Sequence, residues 1–236
     1  MEAHGEAKPA APRTARERAR AELTAEIVEA ARARLAEGGA IGLSLRAVAR
    51  DLGMASSAVY RYFPSRDALI TRLIVDGYNS LADHCESAMN TAGTQGPQQW
   101  DALAHAVRGW AKANPHEFAL LYGTPVPGYA APPDTVDPAT RIVVRFVQML
   151  AASRPRSAGS AERTVTPELA AQFDFVGETV GVAPDDEAFI VGTSVWTALF
   201  GFVGFELFGS WNNTFEPADH LFSAHVELAS RLLFEV

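Results

Sequence analysis

The sequence predicts an all-α protein with two parts, a small N-terminal helix-turn-helix unit of three helices and a larger helical domain after it. Apolar residues recur at three- and four-residue steps along most of the chain, which is the spacing of one helix face. No segment alternates between apolar and polar residues with the period of two that marks a strand. Glycine, proline and polar residues separate the helical segments, as expected for turns between packed helices.

Composition is that of an ordinary globular protein. The chain has 236 residues, of which 48% are hydrophobic and 20% charged, enough for one large domain or two small ones. The single cysteine, Cys85, excludes a disulfide framework within the chain, and the first 22 residues lack the apolar core of a signal peptide. We therefore expect a reduced, cytoplasmic protein.

Charge is distributed unevenly. The net charge of −8 by itself argues against a nucleic-acid partner. Residues 1–76, however, carry 12 Lys and Arg against 10 Asp and Glu, whereas residues 77–236 carry 8 against 18. The basic region is therefore N-terminal. Residues 188–205 form an uncharged run of 18 residues, but their acidic flanks and three hydroxyl side chains favour a helix buried in protein, so we expect no membrane partner.

The N-terminal part predicts a disordered basic arm and then a helix. Residues 1–15 are polar and rich in alanine and proline, with too little apolar surface to offset the cost of ordering. Leu23, Ile27 and Leu35 share one face of a helix over residues 16–37, which Gly38-Gly39 ends.

Two short helices follow. Ser44 is a good N-cap for the first, and Gly53 can leave that helix with a positive φ. Ser56 can cap the second, which Pro64 ends, and Ser65 then caps a long helix. We assign residues 16–66 to the helix-turn-helix domain.

The remaining chain, residues 67–236, predicts a second helical domain. Residues 123–138, which hold five prolines, and the polar residues 153–166 are expected to be loops. The other helices are predicted at residues 97–114, 116–122, 138–152, 167–180, 185–208 and 217–234.

Two short helices joined around Gly53 and braced by a preceding helix form a helix-turn-helix, whose second helix enters the major groove in DNA-binding proteins. Small residues at the start of that second helix let its backbone approach base edges, and hydroxyl and guanidinium groups around it suit phosphates. Arginines at positions 13, 16, 18 and 20 add counter-charge. Similar turns also join helices in bundles that bind no DNA, so the residues alone leave both alternatives open. The candidate contacts are Ser44, Arg46, Ser56, Ser57, Ala58, Tyr60, Tyr62 and Arg66.

The run LSLRAVARDLGMASSAVYRYFPSRDALI resembles the DNA-binding domain of the TetR (tetracycline repressor) family of regulators. The similarity covers roughly residues 20–74, and residues 59–69 are highly specific to that family. It implies an all-helical homodimer that binds a palindromic double-stranded DNA operator. It further implies that the operator is usually released when a small molecule enters the C-terminal domain, so we expect a transcriptional repressor.

The resemblance also assigns positions. Tyr62 stands where many members have histidine, Arg66 where many have lysine, and Ala55 where many have a serine or threonine cap. The implied phosphate contacts are Ser44, Tyr60, Tyr62 and Arg66, and the implied positions near bases or the groove wall are Arg46, Ser56, Ser57, Ala58 and Arg61.

The C-terminal part is similar, less extensively, to a domain that some TetR-type regulators share and that is named for a Trp-His-Gly signature. The similarity rests on the segments WAKANP, residues 110–115, and WTALFG, residues 196–201. Phe200 stands in place of the signature histidine, so we expect no polar ligand contact from that position.

Aromatic and flexible apolar residues on successive C-terminal helices suggest a cavity for a small apolar effector. The same residue types at helical spacing also form an ordinary core, and the sequence leaves that alternative open. The candidate effector contacts are Trp110, His116, Phe118, Tyr122, Phe146, Met149, Phe173, Trp196 and Phe200.

No catalytic or metal chemistry is indicated, because the chain has no phosphate loop, nucleophile elbow or metal-ligand spacing. We expect no enzyme activity, no metal site and no cofactor. The remaining alternative to a regulator is an all-helical ligand-binding or interaction protein that does not bind DNA.

The last two predicted helices are the most apolar, which predicts a homodimer built from them. Gly201 and Gly204 would allow a second helix to approach closely. The expected companion stripe on the last helix is Leu221, Phe222, Val226, Ala229 and Leu233.

Overall fold

A computed structural model describes residues 14–154 and 165–234 of the chain. These residues form α-helices and one 3-10 helix, Pro133–Thr135, and no β-strand, which confirms the predicted all-α class. The arm predicted for residues 1–15 lies outside the described residues except for Thr14 and Ala15. The helices are α1 Ala15–Gly42, α2 Leu45–Asp51, α3 Ser56–Tyr60, α4 Arg66–Thr91, α5 Gly96–Ala113, α6 Pro115–Tyr122, α7 Val136–Ser153, α8 Pro167–Val180, α9 Asp186–Leu207 and α10 Asp219–Phe234.

Local signals in the sequence set most helix ends. Thr14 caps α1 in a capping box with Glu17. Gly39, at φ +62°, interrupts the end of α1 where the Gly-Gly pair predicted a stop. The hydroxyl groups of Ser44 and Ser65 accept hydrogen bonds from the third residue of α2 and of α4. These ends therefore need no distant contact to be specified.

One predicted cap is wrong. Ser56 is the first residue of α3, and Ala55 occupies the cap position without a side-chain hydrogen bond. The α2–α3 turn is instead closed by backbone, because Gly53 adopts φ +64° and the amide of Met54 donates to the carbonyl of Ala49 at 2.8 Å. The register of α3 follows from this turn rather than from a capping hydroxyl.

The chain divides into two compact units between Ile70 and Thr71, inside α4. In the first unit, α2 packs against both α1 and α3. Its core is formed by side chains with almost no solvent exposure, namely Ile27, Leu35, Val48, Val59 and Leu69. Arg34 on α1 pairs with Asp51 at the end of α2 and lowers the pKa of that carboxyl group, mainly through the hydrogen bond between them. This pair adds a polar brace to the apolar contacts.

In the second unit α5 and α9 are central. The helix α5 contacts α6, α7, α9 and α10, and α9 contacts α6, α7, α8 and α10. The indole of Trp100, which is fully buried, donates to the carbonyl of Val226 at 3.0 Å and links α5 to α10. A second, smaller apolar cluster of Val147, Phe173 and Phe189 joins α7, α8 and α9.

A partly buried charge network also joins α5, α9 and α10. The guanidinium of Arg108 donates to both carboxylate oxygens of Glu206, at 2.7 and 2.6 Å, and to Asp219 at 2.9 Å. Its side chain is only 10% exposed and that of Glu206 15% exposed. The pKa of Glu206 is held below its usual range chiefly by the hydrogen bonds from Arg108.

The helix α9 is long and apolar enough, by length and composition, to cross a membrane. A single such helix is weak support for a membrane span, because core helices have the same composition. In this chain α9 buries Val195, Leu199 and Val203 against the neighbouring helices of its own unit.

The outer faces of α9 and α10 differ from the predicted ones. Phe222, Val226, Ala229 and Leu233 belong to the core of the chain itself, and Leu221 packs against that core, so the predicted stripe is not available to a partner. Gly204 is buried near the ring of Phe208, whereas a Cβ atom at Gly201 would meet open space. The residues exposed at helical spacing are Ile190, Ser194, Thr197, Gly201 and Phe205 on α9, and Ala224, Leu228 and Leu232 on α10.

Candidate DNA interface

The α2–turn–α3 segment presents polar side chains on one surface and anchors itself by apolar ones. Val59 is fully buried and Phe63 is 6% exposed, so the two fix α3 and the turn after it. Arg46, Ser57, Tyr60 and Arg61 are exposed, whereas Ser56, Ala58 and Tyr62 are half-buried. The small residues of α3 thus leave its backbone approachable, as a helix in the major groove requires.

Arg46 and Arg61 are predicted contacts whose charged side chains are unpaired among the described residues. Both guanidinium groups are exposed, and neither makes a hydrogen bond or ion pair to another described residue. Such groups are available to phosphate oxygens or to guanine edges.

Two predicted phosphate contacts already have partners within the protein. Ser44 accepts the hydrogen bond of the Ala47 amide, which leaves its hydroxyl proton to donate elsewhere. Arg66 donates to the carbonyls of Ala40 at 2.7 Å and Leu43 at 3.1 Å, at the end of α1. The remaining nitrogen, Nη1, lies 3.9 Å from a carboxylate oxygen of Asp67.

The first turns of α1 add exposed positive charge beside α3. Arg16, Arg18 and Arg20 are all exposed. The guanidinium of Arg20 lies over the ring of Tyr62, 5.0 Å from its centroid, as in a cation–π contact. The Tyr62 hydroxyl and the Arg20 guanidinium are therefore neighbours, and both groups can donate a hydrogen bond to a phosphate. Arg13, the fourth arginine singled out in the arm, lies outside the described residues.

The candidate effector residues form mostly packed core. Rings of Phe118, Tyr122, Phe146, Trp196 and Phe200 contact one another with centroid separations of 4.5–6.4 Å. The Phe200 ring, at the position of the signature histidine, has only aromatic ring partners among these contacts. Burial raises the pKa of Tyr122, so its hydroxyl group stays protonated.

The other four candidates are placed differently. Trp110 and Met149 are buried in the core of the second unit, and Trp110 donates to the hydroxyl of Ser80 at 2.9 Å. His116 is exposed, and Phe173 stacks on Phe189 in the separate cluster. An effector role for the nine residues stays a prediction.

A cavity of about 430 Å³ lies next to this core, between α4, α6, α7 and the proline-rich segment before α7. None of the nine candidates lines it. The sequence treated residues 123–138 as a loop only, and no motif marked Tyr78 or Tyr129 as lining residues. The described residues contain no group of three or more His, Cys, Asp or Glu side chains that could hold a metal ion.

Comparisons with known proteins agree with this geometry. Residues 27–73 match the family model "Bacterial regulatory proteins, tetR family", and residues 100–229 match "Tetracyclin repressor-like, C-terminal domain". The chain is 43% identical over 196 residues to the HTH-type transcriptional regulator Rv1816 of Mycobacterium tuberculosis, covering 82% of this chain and 84% of the relative. The regulator Mb1846 of Mycobacterium bovis matches to the same extent.

Solved structures share the whole fold. The crystal structure of SCO4313 superposes with a TM-score of 0.76 at 34% identity, covering 92% of this chain and 98% of that one. PfmR from Thermus thermophilus, a TetR family transcriptional regulator, has a TM-score of 0.56 at 16% identity over 87% and 97% of the two chains, which shows a common fold. The helix-turn-helix, its exposed polar surface and both family matches together show that the chain belongs to the TetR family of bacterial transcriptional regulators.

Proposed function

We propose that the protein is a repressor that binds a palindromic operator as a homodimer, in the cytoplasm, and releases it when a small molecule binds to its C-terminal unit. The α2–turn–α3 surface is the main observation in support of DNA binding. There, exposed Arg46, Ser57, Tyr60 and Arg61 surround a helix that Val59 holds in place from the other side.

Charge supports the same assignment. The chain as a whole is acidic, yet the exposed side chains on and beside α3 include the guanidinium groups of Arg20, Arg46, Arg50 and Arg61. A local basic surface on an acidic protein suits DNA, because the polyanion is attracted to that surface and repelled by the rest of the molecule.

The homodimer is supported by the unpartnered faces of α9 and α10. Ile190 and Phe205 on α9 are 44% and 54% exposed, and Leu228 and Leu232 on α10 are 50% and 53% exposed. Gly201 lies between the two α9 residues and offers no side chain to hold a second helix away. Exposed apolar residues on two adjacent helices suit a twofold contact, and a dimer would place two α3 helices for successive half-sites of DNA.

A selection experiment tests the operator. Purified protein is incubated with random duplexes, and the retained DNA is sequenced after several rounds. We expect an inverted repeat with half-site centres about one helical turn apart, or somewhat more. The protein should also be retained on unrelated duplex at low salt and released as salt rises. A plot of the logarithm of the binding constant against the logarithm of the salt concentration then counts the phosphate contacts, since each one contributes a slope of roughly −0.9. A protein that retains no duplex at low salt would instead be the ligand-binding alternative without DNA binding.

Base recognition is tested at Arg46. Arg46→Ala is expected to relax sequence preference at one position of each half-site, because a good base contact contributes about 1–3 kcal/mol of discrimination. Equal weakening on every sequence would make Arg46 a phosphate contact.

A further inference from the structure

The cavity beside α4 is lined by uncharged side chains. Its wall includes Ile74 and Tyr78 of α4, Leu121 of α6 and Ala139 of α7, and no lining residue is Asp, Glu, Lys, Arg or His. Its volume, about 430 Å³, falls within the range of roughly 300–1,000 Å³ that holds small ligands in proteins. An ionic ligand would find no counter-charge among these lining residues.

The proline-rich segment is fixed over this cavity by specific contacts. The hydroxyl groups of Tyr129 and Thr71 are 3.0 Å apart, which ties the segment to α4. The amide of Tyr129 donates to the carbonyl of Val126 at 3.1 Å, and the hydroxyl of Thr135 donates to the carbonyl of Pro132 at 2.8 Å. These contacts give the segment a defined backbone path and one side-chain link to α4.

One hydroxyl group on the wall is unpaired among the residues that the structure describes. The hydroxyl group of Tyr78 makes no hydrogen bond to any described residue, and its ring is held edge-on against Tyr122 at 6.0 Å. Burial raises the pKa of this phenol, which keeps it protonated and a hydrogen-bond donor. A ligand with an acceptor oxygen or nitrogen would satisfy it.

We propose that this cavity, with Tyr78 as its orienting donor, binds an uncharged, mainly apolar small molecule that carries a hydrogen-bond acceptor. The assignment rests on the proposed function, in which such a molecule is the effector. It places the effector beside α4 and the proline-rich segment, and not among the packed rings of Phe118, Phe146 and Trp196.

Binding is tested with Prodan, an uncharged naphthyl ketone dye whose emission reports both polarity and hydrogen bonding to its carbonyl. We expect saturable, blue-shifted fluorescence with the full-length protein and no competition from the anionic dye ANS. Tyr78→Phe should weaken Prodan binding about fivefold and shift its emission further to the blue, because one hydrogen bond is lost. Thr91→Val, which removes an exposed hydroxyl at the far end of the same helix, is the matched control and should change neither quantity.

A second variant tests the volume itself. Ala139→Phe places a ring in the cavity and should abolish saturable Prodan binding, whereas Ala152→Phe, at an exposed position of the same helix, should not. The proposal is overturned if Prodan fails to bind, if ANS displaces it, or if Thr91→Val has the effect expected of Tyr78→Phe.

The same proteins separate this proposal from the repressor function. Operator retention is measured with and without Prodan. Retention that Prodan does not weaken, with the binding results as expected, would overturn effector release and leave the cavity assignment intact. Normal operator binding by a protein that binds no Prodan would overturn the cavity assignment alone.

Discussion

Arg66 is a predicted DNA contact that also has a structural task. Its two hydrogen bonds to the carbonyls of Ala40 and Leu43 satisfy acceptors at the end of α1, which would otherwise need water. Arg66→Ala should therefore lower the free energy of unfolding by about 1.5–3 kcal/mol, the contribution of hydrogen bonds from a charged donor. Urea unfolding measures this loss.

Arg46 supplies the matched control. Its guanidinium is exposed and makes no hydrogen bond to a described residue, so Arg46→Ala should change the free energy of unfolding by less than about 0.5 kcal/mol. If Arg66→Ala is as stable as Arg46→Ala, the two carbonyl contacts contribute nothing measurable. A reduced salt slope for Arg66→Ala in DNA binding would show that Arg66 reaches a phosphate as well.

His225 makes the stability of the second unit depend on pH. Its ring stacks on Phe202 at 5.3 Å, its Nε2 atom is buried without a hydrogen-bond partner among the described residues, and burial lowers its pKa. Below about pH 6.5 this imidazole is protonated in the unfolded chain but stays neutral in the folded protein. Protonation therefore favours the unfolded chain, and the free energy of unfolding falls as pH falls. We expect this loss between pH 7 and about pH 5, measured by urea unfolding.

The variant His225→Phe should flatten that dependence, because it removes the group that the unfolded chain protonates. His220→Gln, at an exposed position of the same helix, is the control and should retain the dependence. An identical slope for His225→Phe and the unmodified protein would mean that another group controls stability in this range. Glu206 does not compete in this window, since its depressed pKa acts below the unfolded value of about 4.3.

At the scale of helices, the sequence predicted those features whose causes are local. The caps of α2 and α4 are hydroxyl-to-amide contacts three residues apart, and Gly53 takes the positive φ that its position required. The Ser56 cap failed because the tight turn after Gly53 already sets the register of α3. Whether residue 55 or residue 56 takes the cap position cannot be decided from the sequence without that backbone path.

Which face of a helix turns inward was harder to predict. The stripe of Phe222, Val226, Ala229 and Leu233 on α10 was assigned to a partner and instead packs within the chain. Periodicity identifies an apolar face, but it does not say what covers that face. A helix such as α10, with a second, shorter stripe at Leu228 and Leu232, leaves two assignments that only packing can separate.

The ion pair between α5 and α9 gives a test of how helices are held together. Arg108→Met should destabilise the protein by about 3 kcal/mol, because it leaves the Glu206 carboxylate buried without its main partner. Lys112, 3.4 Å from Glu206 but half exposed, replaces little of that interaction. The double variant Arg108→Met with Glu206→Met should recover most of the loss, as measured by denaturant unfolding. Destabilisation that is simply additive would show that the two groups do not interact.

For the whole molecule, the candidate sites differ in how far the sequence could define them. The DNA surface lies within one short segment, so the motif and its spacing place Arg46, Ser57 and Arg61 together without distant contacts. The cavity is formed by α4, α6, α7 and a proline-rich segment, which lie apart in the sequence. No spacing of residues in the sequence predicts that these segments contact one another. Aromatic composition pointed to core rings because the core and a cavity wall use the same residues.

The homodimer is the prediction that concerns the whole molecule. At Gly201 a new side chain would meet open space in the protomer, so Gly201→Arg should fold normally yet hold a partner helix away from Ile190 and Phe205. We expect this variant to sediment as a monomer at micromolar concentration and to bind the palindromic operator poorly, because one protomer reaches only one half-site.

Gly109→Arg is the matched control, since Gly109 lies in the middle of α5, is exposed and also has open space around its Cβ position. It should remain dimeric and keep operator affinity. A Gly201→Arg protein that stays dimeric would place the twofold contact elsewhere. Monomeric unmodified protein that still binds the palindrome tightly would separate operator recognition from dimerisation. Sedimentation and operator titration are measured on the same samples. Misfolding would appear as a lowered unfolding midpoint, which distinguishes it from loss of pairing in a folded protein.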